Sequence, residues 1–205
     1  TAVNAVDITA TLGSINDATT DATTADVTGS AITLIAATGI GSGEALEFAD
    51  GASVNASVTG TGNINLQGLG ALTLGNANTT AGSITVGAAG LLTATSVTTN
   101  TSGIIDLDTS TGGIIATSVV SADTASITAA AGDITLGGVT AVNAVDITAT
   151  LGSINDADTE TVTADVTGSA ITLIASTGIG SIQALEFVDG ASVNASVTGT
   201  GNINL

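Results

Sequence analysis

The chain has 205 residues, 18 of them Asp or Glu and none Lys, Arg or His, for a formal net charge of −18. With no side-chain cation, internal salt bridges are excluded and phosphate backbones or anionic membrane surfaces are poor partners; cations, basic proteins or plain colloidal repulsion suit such a surface. The lack of Cys and His likewise excludes disulfides, zinc sites and Ser-His or Cys-His nucleophilic machinery.

The first stretch, Thr1 to Leu66, occurs twice. It returns at Thr140 to Leu205, offset by 139 residues, with 58 of 66 positions identical. The differences are Thr19 to Asp158, Asp21 to Glu160, Ala22 to Thr161, Thr23 to Val162, Ala37 to Ser176, Gly43 to Ile182, Glu44 to Gln183 and Ala49 to Val188. The expected organisation is one continuous repeat segment over 1–205, with a full unit at 1–139 and a partial second unit at 140–205. Such a chain reads as a window on a longer tandem array, with any targeting segment lying upstream. No apolar run approaches the roughly 20 residues of a membrane helix, so no membrane insertion is expected.

A shorter period runs inside the long one. Triplets of apolar, polar and apolar residues recur at Ile8, Ile32, Ile64, Ile84, Ile105, Ile127 and Ile147. A second series passes through Leu72, Leu92, Ile115, Ile134 and Ile154, and a weaker third through Val97 and Val119. Alternation over a few residues, punctuated by Gly, Asn, Asp and Ser, is the strand-and-turn signal, while the density of Thr, Val, Ile and Gly disfavours helix. The predicted fold is all-β, a parallel β-solenoid of about 20 residues per coil, because a repeat this small buries its apolar face only by stacking on its neighbours. With strands about 4.8 Å apart, the 139-residue unit is expected to hold about seven coils rising about 34 Å, and the whole chain about ten coils rising about 48 Å.

Between Ala10 and Asn63 the beat is lost. Asn16 to Asp26 is polar and reads as a projecting loop, and four of the eight differences between copies map to it. Ser42 to Asp50 carries three carboxylates and Phe48, whose counterpart is Phe187; these are the only aromatic residues, and each is expected to fill a wider section of core.

Phrases such as Ser126-Ile127-Thr128-Ala129-Ala130-Ala131-Gly132-Asp133-Ile134-Thr135-Leu136, Val145-Asp146-Ile147-Thr148-Ala149 and Gly82-Ser83-Ile84-Thr85-Val86 resemble the repeats of filamentous-haemagglutinin-type exoproteins, giant bacterial adhesins of the two-partner-secretion kind. The resemblance implies a right-handed parallel β-helix, an extracellular or cell-surface location on a bacterium, and a role in adhesion, biofilm or an extracellular fibre. The complete lack of Lys, Arg and Tyr departs from that family and argues against a basic glycan-binding site.

Constellations for chemistry are sparse, and no enzyme is expected. Asp106 with Asp108, and Glu44 with Glu47, could share a face as acid–base pairs, yet no basic group is present to stabilise developing negative charge. Calcium is the one metal worth weighing, since it takes carboxylate and carbonyl oxygens. Asp156, Asp158 and Glu160 alternate like the start of a calcium loop, although Thr161 stands where the loop glycine belongs and Thr167 where the closing Glu belongs. Asn55, Asn78, Asn100 and Asn194 open Asn-x-Ser/Thr sequons and are candidate glycosylation sites.

The leading functional expectation is a structural or adhesive extracellular fibre segment, partnered by neighbouring repeats or by copies of itself end to end. The alternative is a binding module displaying the acidic loop once per repeat to a host or cell-surface receptor or glycan, with calcium as its candidate cofactor. An ice-binding Thr array is a more distant third.

Overall fold

The computed structural model describes residues 5–158 and 163–205. All regular structure among them is strand, and every strand pair is parallel. The chain winds as a β-solenoid of about nine coils with about 21 residues per coil.

Each coil contributes to two long sheets. The first sheet runs through strands Ala5–Ala10, Ala31–Ala36, Ala52–Val58, Leu72–Thr79 and Leu92–Thr99. Beyond these the strand breaks in two, giving Ile114–Ala116 with Val119–Ser121, Ile134–Leu136 with Val139–Ala141, and Ser153–Asp156 with Val166–Thr167, before Gly178–Ile179. The second sheet runs through Ser14–Ile15, Gly39–Ile40, Ile64–Gly68, Ile84–Ala88, Ile105–Thr109, Ala125–Ala129, Ala144–Ala149, Ala170–Ala175 and Val193–Val197, with Leu46–Phe48 also paired to Ile64–Gly68. The split in the first sheet explains the weak third series: Val97, Val119, Val139 and Val166 stack in register on its second segment.

Period-two alternation decides what is inside. One inward column of the second sheet reads Ile40, Ile64, Ile84, Ile105, Ala125, Val145, Ile171 and Val193. Beside it the outward column reads Asn65, Thr85, Asp106, Ser126, Asp146, Thr172 and Asn194. The inward side chains of both sheets merge into a single apolar core of small and β-branched residues, with Phe48 fully buried as expected. Phe187 packs against the same core but is only partly buried.

Buried hydroxyls close the turns between sheets. Thr79 Oγ1 donates to the Gly62 carbonyl at 2.9 Å, Thr99 to Gly103 at 3.1 Å and Thr109 to Gly112 at 2.7 Å, so each of these buried hydroxyls is satisfied. At one corner successive coils approach so closely that only glycine fits. Gly103 has φ +108°, and a Cβ there would meet the Gly82 carbonyl oxygen at 2.0 Å.

Three sequence expectations are corrected. The inward residue of the pair Ile114-Ile115 is Ile114, which is fully buried and pairs with Leu92 and Ile134, whereas Ile115 pairs with Thr93 and Thr135 on the outer face. The triplets at Ile8 and Ile32 belong to the first sheet and those from Ile64 onward to the second, so they are not one series. The third correction is the size of the repeat in coils. Ala5–Ala10 is the first strand of the first sheet, while its copy Ala144–Ala149 is the seventh strand of the second sheet. A 139-residue unit therefore spans six and a half coils, not seven, and its rise is about 31 Å; nine coils rise about 43 Å, not 48. Successive units place the same residues on opposite sheets.

Candidate functional site

The lost beat between Ala10 and Asn63 has a structural cause. In regular coils the second-sheet strand runs straight through, as from Ile64 to Gly68. One coil earlier the strand is interrupted between Ile40 and Leu46, and one coil before that between Ile15 and Val27, although Val27 still pairs with Phe48 and Phe48 with Gly68. The interruptions are insertions of increasing length on one side of the rod. The longest is the exposed loop from Asn16 to Asp26, as its composition predicts.

Pinning this loop brings three carboxylates together. Asp17 begins it, Asp26 ends it, and Glu47 comes from the next coil, with one carboxylate oxygen from each lying within 4.8 Å of the others. The backbone holds the geometry: the amides of Asp26 and Val27 donate to the Glu47 carbonyl at 3.0 and 3.2 Å, and the Glu47 amide donates to Asp26 Oδ2 at 2.9 Å. Leu46 and Phe48 turn into the core, so Glu47 between them points outward by strand alternation. It is nevertheless only 3% exposed, because the loop lies against it. Asp17 Oδ1 accepts the Thr19 amide at 2.8 Å and the Thr19 hydroxyl at 2.9 Å, which fixes the first turn of the loop.

The second copy rebuilds the cluster on the other sheet. Asp156, Asp165 and Glu186 are the counterparts of Asp17, Asp26 and Glu47, and their carboxylate oxygens also lie within 4.8 Å of one another. The Glu186 amide donates to Asp165 Oδ2 at 2.8 Å, and the Asp165 amide to the Glu186 carbonyl at 3.0 Å. Asp156 Oδ1 accepts the Asp158 amide at 3.0 Å, in the place of the Asp17–Thr19 turn.

Electrostatics make these clusters expensive as bare carboxylates. Carboxylates within 4.8 Å of one another repel, and this chain has no side-chain cation to offset the repulsion. Burial is the main force pushing Glu47 up to about 7, helped by the Asp26 carboxyl sharing a hydrogen bond and by the charges of Asp26, Asp17 and Asp21. In the second copy it is Asp165 that rises to about 7, again mainly by burial, opposed by the Glu186 amide and reinforced by the carboxylates of Glu186 and Asp156. Asp17 moves the other way, lowered chiefly by the Thr19 amide. One carboxyl of each trio thus resists ionisation. Chemically, such a trio can take up a proton or a hard cation.

Of the calcium candidates read from sequence, Asp156 joins the cluster, Asp158 is exposed and supplies a backbone amide to it, and Glu160 lies outside the described residues. Asp17, Asp26, Asp165 and Glu186 are the residues that sequence reasoning missed, and Glu47, paired there with Glu44, has Asp17 and Asp26 as its companions instead. Their signal is spacing, since Asp26 and Glu47 are 21 residues apart, one coil.

The other candidates are scattered. Asp106 and Asp108 share the outer face of Ile105–Thr109, with Thr85 and Gly87 on one side and Ser126 and Thr128 on the other; desolvation, then Asp106, raises Asp108. Glu44 is exposed and outside the trio. Among the sequons, Asn55 and Asn194 lie exposed on strands; Asn78 accepts from the Ser57 hydroxyl, and Asn100 Nδ2 donates to the Thr79 carbonyl. Thr does not form an unbroken outward array, because Asp106 and Asp146 interrupt it.

No protein-family model matches the chain, and comparison with curated proteins and with solved structures gives no match.

Proposed function

We propose that the chain is a segment of a structural or adhesive extracellular fibre, a rod built from tandem 139-residue units on a bacterial surface. The carrying observation is the junction between units. Ala144–Ala149 of the second copy pairs directly on Ala125–Ala129 of the first, Ile147 on Ile127, in the same parallel register as every other step of the second sheet. Beyond it the second copy again pairs Val145 with Ile171 and Ile171 with Val193, the counterparts of Val6, Ile32 and Val54 in the first. Adding a unit extends the same two sheets and the same core, so stiffness and length grow together and stability sums over neighbouring coils. A surface with only negative side-chain charge keeps such rods from associating side by side.

The test is length against unit number. Chains of two, three and four units should lengthen by about 31 Å per unit in small-angle scattering. Particles that grow in all dimensions would contradict the fibre reading.

One observation favours a second reading, in which the rod displays a binding element: the exposed loop from Asn16 to Asp26 projects from otherwise regular coils, and half of the differences between copies fall in it or its counterpart. Replacing Thr19 to Thr23 with glycine and serine separates the two. Lost attachment to cells with unchanged rod length supports display; unchanged attachment leaves the loop as a passive feature of the stalk.

A further inference from the structure

We propose that each repeat carries a calcium site built by Asp17, Asp26 and Glu47 in the first unit and by Asp156, Asp165 and Glu186 in the second. The inference is independent of the fibre reading, since it concerns how the loop is fastened to the rod.

Clustered acidic residues alone would not establish a site on so acidic a chain. The decisive feature is what the buried oxygens lack. Glu47 is 3% exposed and its Oε2 has no hydrogen-bond partner; Asp156 is 4% exposed and its Oδ2 has none. The counterparts, Glu186 Oε2 and Asp17 Oδ2, are orphaned as well. The same two atoms of the trio are thus buried and unsatisfied in both copies, on different sheets and against different neighbouring coils. A buried carboxylate oxygen without a donor is strongly disfavoured, and its recurrence at equivalent positions points to a partner that sits among the three groups.

The chemistry of that partner follows from the donor set. All three ligands are hard anionic oxygens, there is no nitrogen or sulfur donor in the cluster, and three negative charges favour a divalent ion. Oxygens within 4.8 Å of one another need to close by at most a few tenths of an ångström to meet a single ion at the roughly 2.3 to 2.6 Å typical of calcium. Calcium also accepts an irregular shell completed by water, whereas magnesium demands a near-ideal octahedron. The ion would join the start and finish of the loop to the following coil, a staple across the insertion where the regular strand is interrupted.

Titration calorimetry of the whole chain with calcium chloride, with bound metal counted by elemental analysis after dialysis, tests this. Two ions per chain are expected, with a dissociation constant at or below about 1 mM, the range of extracellular calcium modules, and with magnesium at least about tenfold weaker. Glu47→Gln should reduce the count to one, and Glu47→Gln with Glu186→Gln to none, while Glu44→Gln, which reproduces Gln183 of the second copy, leaves two. Should the double variant fold poorly, Asp17→Asn with Asp156→Asn gives the same reading. No binding at 5 mM calcium, or an undiminished count in both double variants, would overturn the site and show only diffuse counterions. Rod length is unaffected by either result, so failure here is distinguishable from failure of the fibre reading.

Discussion

The neighbours Ile114 and Ile115 offer a sharp test of the register. They are chemically identical and adjacent, yet Ile114 is fully buried between Leu92 and Ile134, while Ile115 is 38% exposed between Thr93 and Thr135. Replacing each in turn with Thr keeps the β-branched shape and so isolates burial. Ile114→Thr removes two buried carbons, about 1.6 kcal/mol of transfer free energy, and sinks a hydroxyl among apolar neighbours for roughly another 1 to 3 kcal/mol. The expected loss is about 3 to 4 kcal/mol. Ile115→Thr instead continues an outward Thr column and should stay within about 0.5 kcal/mol of the parent. Urea unfolding followed by circular dichroism reads both. Equal losses, or a larger one for Ile115→Thr, would refute the reasoning, because a slip of one residue exchanges the faces of the whole strand.

Gly103→Ala should destabilise by more than about 2 kcal/mol, because its Cβ would strike the Gly82 carbonyl at a backbone conformation unsuited to alanine, while Gly43→Ala, with open space around it, should be neutral in the same urea assay. In chelator, stability should depend on pH through the carboxyls raised by burial. Glu47 and Asp165 sit near 7 when folded and nearer 4 when unfolded, so the folded state holds more protons across that window. Their contribution is therefore full below the ordinary carboxylate value and lost as pH rises through about 7; a urea midpoint higher at pH 5 than at pH 8 is expected, and the reverse order would contradict the burial of these groups.

Much of the fold is legible because strands announce themselves through alternation, and the triplets at Ile64, Ile84, Ile105, Ile127 and Ile147 mark one true column apiece or its neighbour. The signal fails where both faces are apolar. At Ile114-Ile115 nothing local distinguishes inside from outside, and only the partners Thr93 and Thr135 one coil away decide it. The half-coil phase of the repeat was hidden for a related reason. Both sheets are written in the same β-branched alphabet, so the segment Ala5 to Ala10 suits either, and its sheet depends on counting coils through insertions of unequal length. The acidic trio is obscured because proximity in a solenoid follows coil spacing: sequence distance groups Asp156 with Asp158 and Glu160, whereas its structural companions are Asp165 and Glu186.

One unit equals six and a half coils of a continuous rod. Cryo-electron microscopy of an array of at least four units tests it most directly, with the loop from Asn16 to Asp26 and its counterparts as the visible mark. The loops should project every 31 Å or so along the axis on alternating faces, returning to the same face after about 62 Å. Loops aligned on one face at a spacing of about 34 Å, the rise of seven whole coils, would contradict it.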